Sequence, residues 1–133
     1  MTMLLSLILW IVFCIFEGIR EGNYWHQVNI TSKYPKYNIH ALFLAQRILF
    51  AYGLSFNNAT LLNLLIMALT FSFIHNGTYY TTRYFLSNKT IYKKTWFDQS
   101  KSSTAVLTDI MTPIGRSILF LIGVTIFIIL NLK

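Results

Sequence analysis

The chain has 133 residues, of which 55% are hydrophobic, and it carries a formal net charge of +7. That length suits one domain, and the apolar content is too high for a water-soluble domain of this size. The positive charge does not form the stripe that tracks a nucleic-acid groove, so nucleic acid is not an expected partner.

Four apolar segments divide the chain. With its flanks, each one reaches the roughly 20 residues that a helix needs to cross about 30 Å of hydrocarbon. We therefore predict an all-α fold, an integral membrane four-helix bundle that forms a single domain. The predicted spans are 3–22, 39–56, 59–79 and 113–131.

The first segment is typical of a retained membrane helix, since no basic residue opens it and no small-x-small cleavage site follows. Its Cys14 is the only cysteine, which excludes disulfide frameworks and Cys-X-X-Cys chemistry within one chain. The segment also carries Glu17 and Glu21, which share a helical face because residues four apart align. Arg20 stands at its edge.

The second and third segments are separated by only Asn57 and Asn58, so we expect them to be antiparallel neighbours. His40 stands near the start of the second span, and Arg47 lies inside it. His75 lies near the end of the third span. Each of these helices therefore brings an ionisable side chain toward the same side of the membrane.

A long connection precedes the fourth segment and holds Arg83. Within it, the sequence from Ser102 to Met111 predicts a short, capped amphipathic helix on the membrane surface. Thr112 and Pro113 then suit the cap and the first turn of the fourth helix. That helix carries Arg116 just inside its start.

The basic residues orient the protein. Apart from Lys133, they lie in the segments 23–38 and 80–112 or in helix ends next to them. The positive-inside rule then places both long loops in the cytoplasm. Both termini are expected on the non-cytoplasmic side, so the chain is predicted to be an integral membrane protein with cytoplasmic loops.

Ionisable side chains from all four helices are expected in one layer near the cytoplasmic boundary. At 1.5 Å per residue, Glu17 and His75 lie roughly 7 Å inside, Arg116 about 5 Å and Arg47 about 10 Å. A charge in hydrocarbon costs at least about 2.5–3.5 kcal/mol on insertion scales, so such groups turn inward and pair. We predict that Glu17 pairs with Arg47 and that Glu21 and Arg116 join them.

This layer predicts a pocket for an anionic lipid headgroup or for a partner protein, because arginine offers a forked set of donors to phosphate. The expected partners are anionic membrane lipids, and a membrane protein or a second copy of this chain is a further candidate. No cofactor or metal is expected, since the arginines oppose a cation and no His-X-X-His or Glu-X-X-His spacing occurs. The predicted binding residues are Arg47, Arg116, Glu17, His75, His40, Arg20 and Arg83.

Three alternatives stay open. The layer could be purely structural, with Arg47 and Arg116 reaching for the headgroups. It could be an enzyme site, in which Glu17, Glu21 and His75 act as acid and base on a lipid, or in which these residues and His40 bind a metal. A pore-forming protein is the third alternative, because phage holins resemble this chain in size and helix richness. Whether the protein is an enzyme is left undecided.

Overall fold

The structure is a computed structural model that describes residues 3–33, 39–55, 60–87 and 112–131. These residues form four α-helices without a strand, which confirms the predicted all-α class. The helices are α1 (Met3–Thr31), α2 (Ile39–Ser55), α3 (Thr60–Leu86) and α4 (Pro113–Asn131). The predicted surface helix of residues 102–111 lies outside the described residues.

Two helices continue beyond the spans that hydropathy predicts. The segments 23–31 and 80–86, which were expected to be parts of loops, are the last turns of α1 and α3. Polar side chains end an apolar segment without ending a helix, and neither segment contains glycine or proline. α1 ends only where Ser32 adopts a left-handed backbone conformation, with a φ of 53°.

The helices α1, α3 and α4 are long and apolar enough to cross a membrane, which indicates a membrane protein. The apolar part of α2, Ala41–Ser55, is shorter. Large apolar side chains are exposed on the outer surface of the helices, as lipid-facing residues would be. Examples are Phe16, Leu49, Leu61 and Leu121.

α3 is the central helix of the described structure. It packs against each of the other three helices, and α2 also packs against α1. α4 packs along α3, and its last turn reaches α1, where Asn131 Nδ2 lies 3.7 Å from Met3 Sδ. Four helices are therefore present as predicted, but α4 is not packed along α1 or α2.

α1 and α3 run parallel at very short range, with residues about 57 positions apart facing each other. Trp10 Nε1 donates a hydrogen bond of 3.0 Å to the carbonyl oxygen of Met67. Further along the same interface, a Cβ atom at Gly18 would lie only 2.6 Å from the carbonyl oxygen of His75. Gly18 and Gly22, one turn apart, thus form the small-residue face that lets two membrane helices approach closely.

α4 packs antiparallel on another face of α3. The rings of Phe73 and Phe120 lie 4.8 Å apart, and Gly123 packs against Thr70. Because the two helices are antiparallel, residues nearer the start of α4 lie opposite residues nearer the end of α3. This register places Gly77 opposite Arg116.

Candidate functional site

Five ionisable side chains from three helices meet beside the α1–α3 interface, and we call them the charge cluster. They stand near the level at which the α1 and α3 glycines bring the two backbones together. The members are Glu17, Arg20 and Glu21 of α1, Arg47 of α2 and His75 of α3.

Arg47 is the centre of the charge cluster. Its Nη2 atom donates to Glu21 Oε2 and lies 3.4 Å from Glu17 Oε1. The predicted contact between Glu17 and Arg47 is thus present, and Glu21 is the closer partner. All contacts of the guanidinium with the cluster use Nη2, while Nε has no hydrogen-bond partner among the described residues.

His75 joins the cluster through its Nε2 atom, which lies 3.0 Å from Glu21 Oε2. A carboxylate oxygen only accepts, so a hydrogen bond here requires the proton on Nε2. Nη2 of Arg47, 3.1 Å from the same nitrogen, then shares Glu21 with it as a second donor. The imidazole stacks on Phe71 at 4.7 Å, and its Nδ1 atom lies 3.2 Å from Asn76 Oδ1.

Arg20 forms the outer edge of the cluster. Its Nη2 atom donates to Glu17 Oε1 at 2.6 Å, and its side chain is 45% exposed. The guanidinium also lies over the ring of Phe43, 4.4 Å from the centroid. Two carboxylates and two guanidinium groups balance, so with a neutral imidazole the cluster carries no net charge, which lowers the cost of burying it between the helices.

Arg116 does not join the cluster, contrary to the prediction. It is 4% exposed, and in the described helices it contacts neither Glu17 nor Glu21. The physical reason is that α4 packs on a different face of α3 from α1 and α2. The sequence predicts how far along its helix axis a residue lies, but it does not predict which neighbouring helix that residue faces.

Arg83 is another predicted residue that is not a member of the charge cluster, and the position of the His40 side chain is not described. Arg83, two turns after His75, donates from Nη1 to the hydroxyl of Tyr79 at 2.7 Å and is buried. His40 lies in the first turn of α2, and its side chain is outside the described part of the structure. The predicted set thus divides into one cluster of five residues and separate positions on α3 and α4.

A cavity of about 510 Å³ lies between α1, α2 and α3, and we call it the lateral cavity. Its walls are Trp10 of α1, side chains from residues 44–52 of α2, and Leu64, Ala68 and Phe71 of α3. Arg47 is the single charged residue among these walls. The guanidinium lies 5.0 Å above the Phe71 ring, so the lateral cavity and the charge cluster share one side chain.

Sequence reasoning did not predict the lateral cavity. Ala51 and Ala68, on neighbouring helices, are the small residues that leave space in its wall. Alanine is common in membrane helices, so only the pairing of these two positions across α2 and α3 could have signalled a cavity. That pairing depends on helix rotation, which hydropathy does not fix.

In the described helices, no three histidine, cysteine, aspartate or glutamate side chains converge as metal ligands. No family model, curated protein or solved structure matches the chain. What the site can do must therefore be inferred from its own geometry. The site consists of a balanced ion network, an apolar cavity and the Arg47 guanidinium, which belongs to both.

Proposed function

We propose that this protein binds one amphiphile, a fatty acid or lipid with an anionic end, in the lateral cavity. The apolar chain would lie along α2 and α3, and the anionic end would meet Arg47. One observation carries the proposal: the centre of the charge cluster is also the single charged residue among the described residues of the cavity wall.

The size and lining of the cavity support this proposal. Its volume of about 510 Å³ lies inside the range of about 300–1,000 Å³ for small-molecule sites, whose walls are mostly apolar with a few placed polar groups. Within a membrane, the surrounding lipid solvates an apolar chain as well as the cavity does. Preference for one ligand must therefore come from the polar end, at Arg47.

Arg47 has donors to spare for such a ligand. Glu17 and Glu21 hold its Nη2 atom and thereby fix the orientation of the guanidinium. Nη1 and Nε make no hydrogen bond with a described residue, and Nε is buried. Nη1 can therefore donate a charge-assisted hydrogen bond to a carboxylate or phosphate, and the side chain is 17% exposed.

The alternatives are less well supported by the geometry. For acid–base catalysis, His75 and Glu21 would have to reach a substrate, but neither of them lines the lateral cavity. For a pore, the described helices would need a polar path, whereas the core around Trp10, Ile66 and Met67 is apolar. Binding of a ligand needs only the groups that already face the cavity.

We also propose that α2 crosses or enters the membrane beside the three longer helices. The charge cluster and the long connecting segments would then lie on the cytoplasmic side. This orientation follows from the distribution of basic residues, since the positive-inside rule reads lysine and arginine in loops. Membrane lipids, as the nearest anionic amphiphiles, are the expected ligand source.

Quenching of Trp10 by a fatty acid brominated along its chain tests the proposal. Trp25→Phe and Trp96→Phe leave Trp10, a cavity-wall residue, as the single tryptophan. In detergent micelles we expect quenching to saturate with the brominated fatty acid. The corresponding methyl ester should bind about tenfold more weakly, because losing one charge-assisted contact costs about 1.4 kcal/mol or more.

Two variants make this experiment specific. Ala68→Phe fills the cavity wall and should abolish the saturable quenching. Ala45→Phe adds the same bulk to an exposed position on α2 outside the wall and should leave it intact. Quenching that rises linearly and equally in all three proteins would mean partition into the micelle, and the proposal would be wrong.

A further inference from the structure

Arg116 is a buried cation on the face of α3 that α4 covers, away from the charge cluster. It lies in the first turns of α4, one turn before the Phe73–Phe120 contact. Only 4% of the residue is exposed. The packing register of α3 and α4 places Gly77 opposite it.

The described helices provide no counter-charge for Arg116. Their two carboxylates, Glu17 and Glu21, both belong to the charge cluster. Nε of Arg116 is buried and has no hydrogen-bond partner among the described residues. A buried charge without a partner is strongly unfavourable, so this position calls for an anion.

The start of α4 adds to this requirement. The amino end of a helix carries a partial positive charge, which disfavours an arginine in its first turns. Thr112 Oγ1 accepts from the amide of Gly115 at 3.0 Å, and Pro113 has no N–H group. The amide of Ile114 is left without a partner in the described residues. Helical side chains lean toward the amino end of their helix, so the Arg116 side chain is expected to extend toward the first turn of α4.

We propose that Arg116 and the amino end of α4 form a phosphate site, and that its ligand is the headgroup phosphate of a membrane phospholipid. A phosphate has several acceptor oxygens, matches a guanidinium edge and is stabilised by a helix amino terminus. α4 is a helix of spanning length, so its first turn stands at the membrane boundary, where headgroup phosphates lie. This site is separate from the lateral cavity.

Line broadening in ³¹P NMR tests this inference with two probes, dihexanoyl-phosphatidylglycerol below its micelle concentration and inorganic phosphate. We expect the lipid signal to broaden on addition of the wild-type protein. Arg116→Gln should weaken lipid binding by about tenfold or more, since a charge-assisted pair is lost. If inorganic phosphate binds as tightly as the lipid, the assignment of a phospholipid ligand is wrong.

Ala68→Phe separates this inference from the proposed function. It fills the lateral cavity but leaves α4 unchanged, so it should retain phosphate binding while losing fatty-acid binding. Arg116→Lys keeps the charge without the guanidinium edge and should bind with intermediate strength. It also provides a folded comparison should Arg116→Gln lose its helical circular dichroism.

A carboxylate from the chain itself is the competing occupant. The sequence has four acidic residues, and Asp98 and Asp109 are the two outside the described residues. If one of them neutralised Arg116, Arg116→Gln would leave phosphate binding unchanged. In that case, the loss of thermal stability in a double variant of Arg116→Gln with Asp98→Asn or Asp109→Asn would be smaller than the sum of the two single losses. That result would overturn the inference.

Discussion

Glu21 and His75 meet across the parallel interface of α1 and α3, with 3.0 Å between Oε2 and Nε2. Their approach depends on Gly18 and Gly22, because any side chain there would push the two backbones apart. The close packing of the helices and the ion network are therefore one structural unit. Arg47 of α2 completes it by donating to both carboxylates.

We predict that Arg47→Leu strongly destabilises the fold. It would leave Glu17 and Glu21 buried without their shared cation, at a cost of about 3–5 kcal/mol for a broken buried pair. Thermal unfolding in detergent measures this loss. Adding Glu17→Gln and Glu21→Gln to Arg47→Leu should recover much of it. An unchanged melting temperature for Arg47→Leu alone would contradict the central role of Arg47.

Arg20→Ala should have a much smaller effect than Arg47→Leu. Arg20 is half-exposed and pairs with Glu17 from three residues away on the same helix, where such pairs contribute about 1 kcal/mol or less. The same thermal unfolding experiment compares the two variants directly. Equal losses of stability in the two variants would show that the difference in solvent exposure does not determine how much each arginine stabilises the fold.

Gly18→Ala should weaken the α1–α3 interface. Its Cβ would lie 2.6 Å from the His75 carbonyl oxygen, so the backbones must separate, at about 1–3 kcal/mol for an overpacked contact. Gly53→Ala is the matched control, because no atom lies within 4 Å of the added Cβ. The control should be neutral or stabilise by up to about 1 kcal/mol through helix propensity. The reverse order in thermal unfolding would refute the predicted close packing.

His75→Phe should keep the ring packing and remove the hydrogen bond to Glu21. Phenylalanine retains the stacking on Phe71 but has no donor, so Glu21 loses the histidine and keeps its contact with Arg47. We expect a loss of about 1–3 kcal/mol, as for one unsatisfied buried group. Asn76→Ala removes the contact on Nδ1 and the 3.3 Å hydrogen bond from Asn76 Nδ2 to Ser72 Oγ, and it should cost less. A larger loss for Asn76→Ala in thermal unfolding would mean that the contacts of Asn76, and not the contact of Nε2 with Glu21, hold the imidazole in place.

Much of the architecture could be predicted from local sequence. Apolar length gave the helices, and Thr112 with Pro113 marked the start of α4, where the threonine hydroxyl does accept from Gly115. The predicted ends of α1 and α3 come too early, because a fall in hydropathy does not by itself end a helix. Polar residues without glycine or proline continue a helix past an apolar segment.

The candidate site could be predicted only in part. The cost of a buried charge was enough to predict that Glu17 pairs with Arg47, and the two residues are in contact. The same reasoning wrongly included Arg116, which lies at a similar depth in α4, a helix that packs on a different face of α3. The lateral cavity, formed by side chains of three helices, had no signal in any single segment.

The sequence by itself determined the helical class, the apolar surfaces and the level of each ionisable group along its helix axis. These properties follow from composition and from a constant rise per residue. Only the tertiary structure decided which groups meet, because rotation and neighbour choice depend on contacts between residues distant in sequence. Gly18 against α3 and Gly123 against Thr70 set those rotations, and they place Arg47 in a balanced cluster and Arg116 outside it.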